Sequence, residues 1–401
     1  MTVAPFLTAT PEADTAAGAD ARPRPDPDDD EALLRLLAAG GAAAPRRALL
    51  EAHGGAGAAL RAGSGAWRRA GLAPAQVRAL EGGAAADPRA RDWLARPGHH
   101  LLGWHDPDYP PLLRAIPSPP LALFVAGEPA LLWHPAVAIV GSRSPSAGGR
   151  DNARAFAHAL AGSGLAVTSG LALGIDTTAH LAALAAGGTT VAVVGSGLDF
   201  PYPRANAALQ ARIAAAGAVV SEHPPGTRAL REHFPSRNRI IAGLTLGTLV
   251  VEAARRSGAL ITARQAAEAG REVFAVPGSI HNPVARGCHR LIREGAALVE
   301  RADEVIATLA PLASELGGAL RRRLDAPSSL SGTPSRGARG APGADDPDYN
   351  RLWQALGHDP TGMDLLLERT GLTTAQLSSM LLVMELEGWI VAEHGRYSRT
   401  S

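Results

Sequence analysis

AVAIVGSRSPSAGGRDNARAFAHALAGSGLAVTSGLALGID, residues 136–176, decides the fold. The stretch opens on an apolar β-branched run, Ala136 to Val140, and breaks at Gly141-Ser142-Arg143. An alanine-rich segment of helical length follows, and then a second apolar run, LAVTS (165–169), breaks at Gly170. The same alternation recurs downstream in TVAVVG (190–195), GAVVSE (217–222), TLVVEA (248–253), REVFAV (271–276) and ALVE (297–300). Short β-branched runs separated by helical stretches predict a parallel sheet covered by helices. The runs are continuously apolar and not alternating, so both faces of that sheet should be buried. The predicted class is α/β, with a Rossmann-like parallel-sheet core.

Outward from this core, the first 28 residues are rich in Ala, Pro and Asp and end in Asp28, Asp29 and Asp30. With neither apolar period present, they predict a disordered tail, with structure beginning near Glu31. Residues 29–98 carry Leu33, Leu36, Leu49, Leu60, Trp67, Leu72, Val77 and Leu80 between glycine breaks, which predicts a small helical domain of the helix-hairpin-helix kind. Residues 99–310 hold the sheet, and the Ser, Gly and Pro content of 311–347 predicts a flexible linker. In 348–401, NRLWQALG, TGMDLLLERTG and TTAQLSSMLLVMELEG read as three helices and WIVAEHGRYSR as a β-ribbon, together a winged helix. The third helix contains no arginine and two glutamates, unlike a helix that reads a DNA groove.

Composition narrows the chemistry. At 401 residues, more than one domain is expected. A net charge of +1 gives no global polyanion signal, so any nucleic-acid site must come from local clustering. The sequence contains no lysine, so every cationic phosphate contact must be a planar, always-charged guanidinium. One cysteine, Cys288, excludes an intramolecular disulfide framework and a thiolate zinc cluster within one chain. No apolar run approaches the roughly 18 residues of a membrane span, so a cytoplasmic protein without a membrane partner is expected.

Ligands of an open parallel sheet bind beyond the carboxyl ends of its strands. The residues there are small: Gly141, Ser142 and Arg143 after the first strand, Ser169 and Gly170 after the second, Gly195, Ser196 and Gly197 after the third, and Ser257 and Gly258 after the fifth. Glycine admits an anion close to the backbone and helix amino termini offer N–H donors, so a row of phosphate subsites is expected along one edge. A nicotinamide enzyme would need G-x-G-x-x-G after the first strand and an acidic residue after the second; GSRSPSAG and Thr168-Ser169-Gly170 supply neither. FPSRNRIIAGL (234–244) places Phe234, Arg237, Asn238 and Arg239 together, just ahead of a helical stretch. Guanidinium can hold phosphate, asparagine a base edge or phosphate, and an exposed ring can stack on a base, as single strands require.

GSRSPS (141–146), SGLALGIDTTAH (169–180), VVGSGLDFPYPRAN (193–206), SEHPPGT (221–227), FPSRNRIIAGL, LVVEAARRSGALITARQAAEAGREVFAVPGS (249–279) and GCHRLIREGA (287–296) occur in the order of the DNA-processing protein A (DprA/Smf) motifs. The chain resembles that family over about residues 104–308. The resemblance implies a homodimeric, non-enzymatic protein that binds single-stranded DNA without a cofactor and helps load the RecA recombinase during natural transformation. It maps phosphate binding to Ser142, Arg143, Ser169, Gly170, Gly195 and Gly197, with Phe234, Arg237, Asn238 and Arg239 beside them. Ser196 stands where many members carry cysteine.

Three other features point elsewhere. Asp176 and His180, one helical turn apart, could form a metal pair or an acid–base dyad, but a structural role is expected for want of clustered ligands. The alternative enzyme reading is a nucleoside monophosphate phosphoribohydrolase, whose PGG-x-GT-x-x-E has a partial counterpart in GLTLGTLVVEA (243–253), with Glu252 but without paired glycines. Gly40, Gly41, Arg46 and Arg47 could grip a phosphate backbone, although plain packing is the favoured reading.

Overall fold

The computed structural model describes residues 27–325, 347–356, 361–372, 377, 380–381, 384, 390–393 and 396–399. It divides into two units, the first ending at Ala326 and the second beginning at Pro327.

The first unit starts with α1 (Pro27–Ala38), α2 (Ala43–His53), α3 (Ala56–Arg61), α4 (Gly63–Arg69), α5 (Pro74–Glu81) and α6 (Pro88–Leu94). The acidic triplet is not the end of a tail. Asp28, Asp29 and Asp30 form the first turn of α1, where carboxylates complement the helix dipole. Asp29 also accepts from Gly57 N at 2.7 Å and contacts His105 Nε2 at 2.9 Å. The remainder of the expected tail, residues 1–26, lies outside the described residues.

Two strands follow that the sequence reading missed, β1 (His99–Gly103) and β2 (Ala122–Gly127), with α7 (Pro111–Arg114) between them. Then come β3 (Ala136–Val140), α8 (Ala147–Gly162), β4 (Ala166–Ser169), α9 (Ile175–Ala185), β5 (Thr190–Val193), α10 (Ala207–Ala216), β6 (Ala218–Ser221), α11 (His233–Gly243), β7 (Gly247–Val250), α12 (Ala259–Glu268), β8 (Glu272–Ala275), α13 (Arg286–Arg293), β9 (Ala297–Leu298) and α14 (Ala302–Asp325). All seven expected strands are present. Among the described residues they form one sheet of order β1-β2-β6-β5-β4-β3-β7-β8-β9, parallel from β6 to β9 and extended by antiparallel β2 and β1. Every residue of β3 to β7 is buried, as their unbroken apolar runs require. The chain runs outward from β3 through β4, β5 and β6, then returns to place β7 on the other side of β3. That reversal puts a topological switch point between β3 and β7.

The amino-terminal helices do not stand apart. Leu36, Leu50, Trp67 and Trp93 share one apolar core with Phe124, Leu171, Val194 and Val219 of the sheet and its loops. Arg46 is buried, and its guanidinium donates to the carbonyls of Leu36 and Gly41, both at 2.8 Å, closing the end of α1. Arg47 Nη1 reaches Pro119 O at 2.6 Å. These arginines pack the layer together and are not presented to a backbone of phosphates.

The linker expected from residue 311 starts later. Helix α14 continues through Pro311 to Asp325, because ASELGGALRRRLD is rich in strong helix formers and Leu316 enters the core. Residues 326–346 lie outside the described residues. The second unit contains α15 (Pro347–Ala355), β10 (Thr361–Gly362), α16 (Met363–Thr370), β11 (Ile390–Glu393) and β12 (Arg396–Arg399), with strand order β10-β12-β11. Leu377, Met380, Leu381 and Met384 are helical and pack with Leu352, Leu366 and Ile390. The apolar face of the third helix is therefore spent inside this unit.

Candidate nucleic-acid interface

The loops after β3, β4, β5 and β6 meet at one end of the sheet, together with the start of α11. Their close fit depends on glycine at two places. Gly174 has φ 87°, and a Cβ there would lie 2.3 Å from Ser142 O, so the loops after β3 and β4 touch only because it has none. A Cβ on Gly170 would sit 2.0 Å from Arg237 Nη1. Between them, Leu171 holds φ 57°, a left-handed conformation unusual for leucine, and its carbonyl accepts from Asn206 Nδ2 at 2.8 Å.

The expected row of phosphate subsites is rearranged by the protein's own side chains. At the amino terminus of α8, Ser146 Oγ accepts from Gly149 N at 3.0 Å, while Glu252 accepts from Ser146 N at 2.9 Å and from Ser146 Oγ at 2.6 Å. In the first turn of α9, buried Asp176 accepts from Gly170 N at 3.2 Å and Ala172 N at 3.3 Å. At the starts of α8 and α9, where a helix dipole would attract phosphate, a carboxylate already stands. Burial pushes the Asp176 carboxyl up, against the pull of Arg237 and the backbone donors. The buried hydroxyls are committed as well: Ser169 Oγ donates to Ile139 O at 2.6 Å and Ser196 Oγ to Phe200 O at 2.9 Å. Gly195 and Gly197 are buried, and Gly197 N donates to Thr227 O at 2.9 Å. These residues build the loops from beneath.

Phe234, Arg237, Asn238 and Arg239 lie within α11, not ahead of it, and the helix turns them to different surroundings. Arg237 is only 5% exposed, and its Nη1 donates to Val193 O at 2.6 Å. Burial lowers it to about 10, although Asp176 pulls the other way. It braces the sheet beneath Gly170 and offers no surface to phosphate. Asn238 is buried with a long bond, 3.4 Å, to Gly258 O. Arg239 is half-buried and paired with Glu222 at 2.5 Å.

What remains on the rim is a compact set. Arg143 is exposed, has no carboxylate partner among the described residues, and stands with its Cζ 5.7 Å from the centre of the Phe234 ring. The Phe234 ring in turn lies 5.5 Å from that of Tyr202, tilted by 44°. Tyr202 is 45% exposed and Phe200 40%, both on the loop after β5, with exposed Leu173 and Leu230 on neighbouring loops. Exposed Arg204, Arg228 and Arg231 complete this rim. Sequence reasoning quoted DFPYP without assigning its rings. Two large aromatics in a polar, proline-rich loop were the available signal.

Beneath the rim, His233 Nδ1 donates to Gly195 O at 3.0 Å and its ring stacks on His223 at 3.9 Å. Burial, then His233 and Arg239, lower His223 to about 4. His180 and Asp176 do not form a dyad, since His180 Nδ1 bonds Thr190 Oγ1 at 2.7 Å. No cluster of three metal-ligating side chains occurs among the described residues. Three residues, not two, separate Thr248 from Glu252, so the hydrolase spacing is not met. Glu252 faces a cavity of about 170 Å³ with both oxygens already hydrogen-bonded.

Residues 100–310 match the family model of DNA recombination-mediator protein A, and residues 336–396 match the DprA winged-helix domain. Protein Smf of Escherichia coli is 43% identical over 308 residues, covering 77% of this chain and 79% of that protein. The DNA processing protein DprA of Streptococcus pneumoniae is 50% identical over 202 residues, covering 50% of this chain and 71% of that one. A crystal structure of DNA processing protein A from the same species superposes with TM-score 0.62 at 40% identity, covering 68% of this chain and 95% of that one. A model match over more than half the chain and a long relative above 40% identity agree with the sheet and its glycine-built loops: the chain belongs to the DNA recombination-mediator protein A family.

Proposed function

We propose that the chain binds single-stranded DNA along the carboxyl edge of its sheet, without chemistry and without a cofactor. The carrying observation is the contact of exposed Arg143 and Tyr202 with the half-buried Phe234 ring, above helix starts where Glu252 and Asp176 already stand. Phosphate then falls to rim guanidiniums and to the backbone at Gly141 and Ser142, and bases to the rings. Duplex DNA hides its bases, so this pairing of charge and aromatic surface favours single strands with little sequence preference. Family membership supports a place in DNA uptake and recombination. In that setting the chain would act in the cytoplasm as a homodimer that hands its strand to RecA during natural transformation.

Anisotropy titration of a labelled oligonucleotide, single- and double-stranded, across a salt series tests this reading. A marked single-strand preference is expected, and equal affinity for both forms at moderate salt would overturn it. Arg143→Ala should weaken binding and reduce the slope of log affinity against log salt by about 0.7, the loss of one phosphate. Phe234→Ala should cost on the order of 1–3 kcal/mol while leaving the slope nearly unchanged. A well-folded Arg143→Ala protein with unaltered affinity and slope would remove the loop after β3 from the site. Incubation with AMP or CMP should release no free base; release abolished by Glu252→Gln would favour a hydrolase.

The winged helix is not expected to be the principal DNA site, because its third helix carries no arginine and two glutamates. Removing residues 345–401 should leave single-strand affinity within a few-fold by the same titration. A tenfold loss or more would contradict this.

A further inference from the structure

We propose that the bound strand crosses the switch point between β3 and β7 and continues over a second set of arginines, Arg255, Arg256 and Arg286. This rests on the single-strand reading above and adds a subsite that the β3-to-β6 rim does not contain. Arg255 and Arg256 follow β7, and Arg286 opens α13 after β8. All three are exposed, and none has a hydrogen-bond, ion-pair or ring partner among the described residues. Unpaired exposed arginines occur elsewhere too, Arg61 and Arg69 among them, so it is the position of these three beside the rim that singles them out.

Backbone bonds join the two rims. Val251 N donates to Val140 O at 3.1 Å, which ties the end of β7 to the end of β3. Ala253 N donates to Val284 O at 2.6 Å and Gly287 N to Ala253 O at 2.7 Å, which brings the arginine loop after β7 against the start of α13. Glu252 stands at this crossing, and it forms no ion pair with them. Its Oε1 accepts from Ser146 Oγ and from Asn282 Nδ2 at 3.1 Å, and its Oε2 from Ser146 N. A side chain held by three donors leaves the guanidiniums free for an outside polyanion. At about 4.8 Å per strand, β7 and β8 carry the rim on the order of 10 Å beyond Arg143. The partner must be a chain of phosphates long enough to cover both sets, which a short oligonucleotide held at the aromatic stack is not.

The test compares a 3-nucleotide and a 30-nucleotide oligo-dT on the full chain. Arg255→Ala/Arg256→Ala should leave 3-mer binding unchanged, because its two phosphates, held at the aromatic stack after β5, do not reach across three strand spacings of about 4.8 Å each. With the 30-mer it should lower the salt slope by about 1.4, twice the single-strand increment per phosphate. If both proteins bind equally at 1 M salt, that slope corresponds to on the order of twentyfold weaker binding at 0.1 M. Arg61→Ala/Arg69→Ala, on exposed positions of α3 and α4, removes the same charge elsewhere and should change neither oligonucleotide's binding. An unaltered 30-mer slope in the first variant overturns the extension, and so does an equal fall in the second, which would mark diffuse charge. Arg143→Ala separates the two readings. If it weakens both oligonucleotides while Arg255→Ala/Arg256→Ala weakens neither, only the extension fails; if Arg143→Ala has no effect, the underlying site fails.

Discussion

Replacing Arg237 with methionine is expected to cost the first unit about 1–3 kcal/mol, because it leaves a buried carbonyl without its donor. For a domain of this size that is a fall in melting temperature of several degrees. Methionine keeps much of the packed stem, so the loss falls on the guanidinium. Val193 O loses its 2.6 Å donor, and the buried Asp176 carboxyl loses its compensating charge. The deficit should depend on pH. Asp176 is already held above its ordinary value by burial, and without Arg237 it is held higher, so the folded variant prefers the protonated acid. An acid raised in the folded state contributes stability at low pH that is lost as pH rises. The gap between the two proteins should therefore be wider at pH 8 than at pH 5 in urea unfolding. Well below the melting point, the variant should keep the salt slope of DNA binding. A variant with undiminished stability and a flattened slope would instead make Arg237 a direct phosphate ligand.

This arginine marks where the sequence stops being legible. The strands were readable because burial on both faces writes itself as an uninterrupted apolar run, and all seven such runs from AVAIV to ALVE are strands. HHLLG begins with two histidines and lacks that signature. ALFVAG has it, with Ala122 to Ala126 all buried, but it lies ahead of the strand–helix alternation and pairs antiparallel with its neighbours. The crevice was readable as a row of small residues, but not its lining, because identity alone does not say which way a side chain turns. In α11 the three residues Arg237, Asn238 and Arg239 go to a carbonyl on β5, to the loop before α12 and to Glu222. Each destination lies 17 or more residues away in the chain. In the same way, Glu252 and Asp176 fill the helix termini that a local reading leaves open for phosphate. Arg143 and Phe234, two of the residues singled out from the sequence, lie on one rim, Arg143 exposed and Phe234 half-buried. Their contact, and that of Phe234 with Tyr202, is tertiary.

Acidification from pH 7 to pH 4 is expected to remove about 3 kcal/mol of stability through His180 alone. The histidine is fully buried in α9. Thr190 Oγ1 gives its proton to Val167 O at 2.7 Å, so it can only accept from His180 Nδ1. That fixes the neutral tautomer with its lone pair on Nε2, which has no hydrogen-bond partner. A second proton would create a buried cation with no acceptor, near Arg237. Burial first, and that guanidinium second, lower His180 to about 3. A histidine lowered in the folded state stabilises the protein above its unfolded value near 6.5. That contribution is lost as pH falls toward the folded value, because the unfolded chain takes up the proton first. His223, lowered to about 4, acts in the same direction. His180→Asn isolates the first contribution, since the amide nitrogen can replace Nδ1 as donor to Thr190 while nothing on the residue titrates. The variant should be less stable at pH 7, from the smaller side chain, by about 1–2 kcal/mol. Its further loss on going to pH 4, measured by urea unfolding, should be about 3 kcal/mol smaller than that of the unsubstituted protein. Parallel pH profiles for the two proteins would show that His180 is not the group that titrates, and would return the acid sensitivity to His223 and the carboxylates.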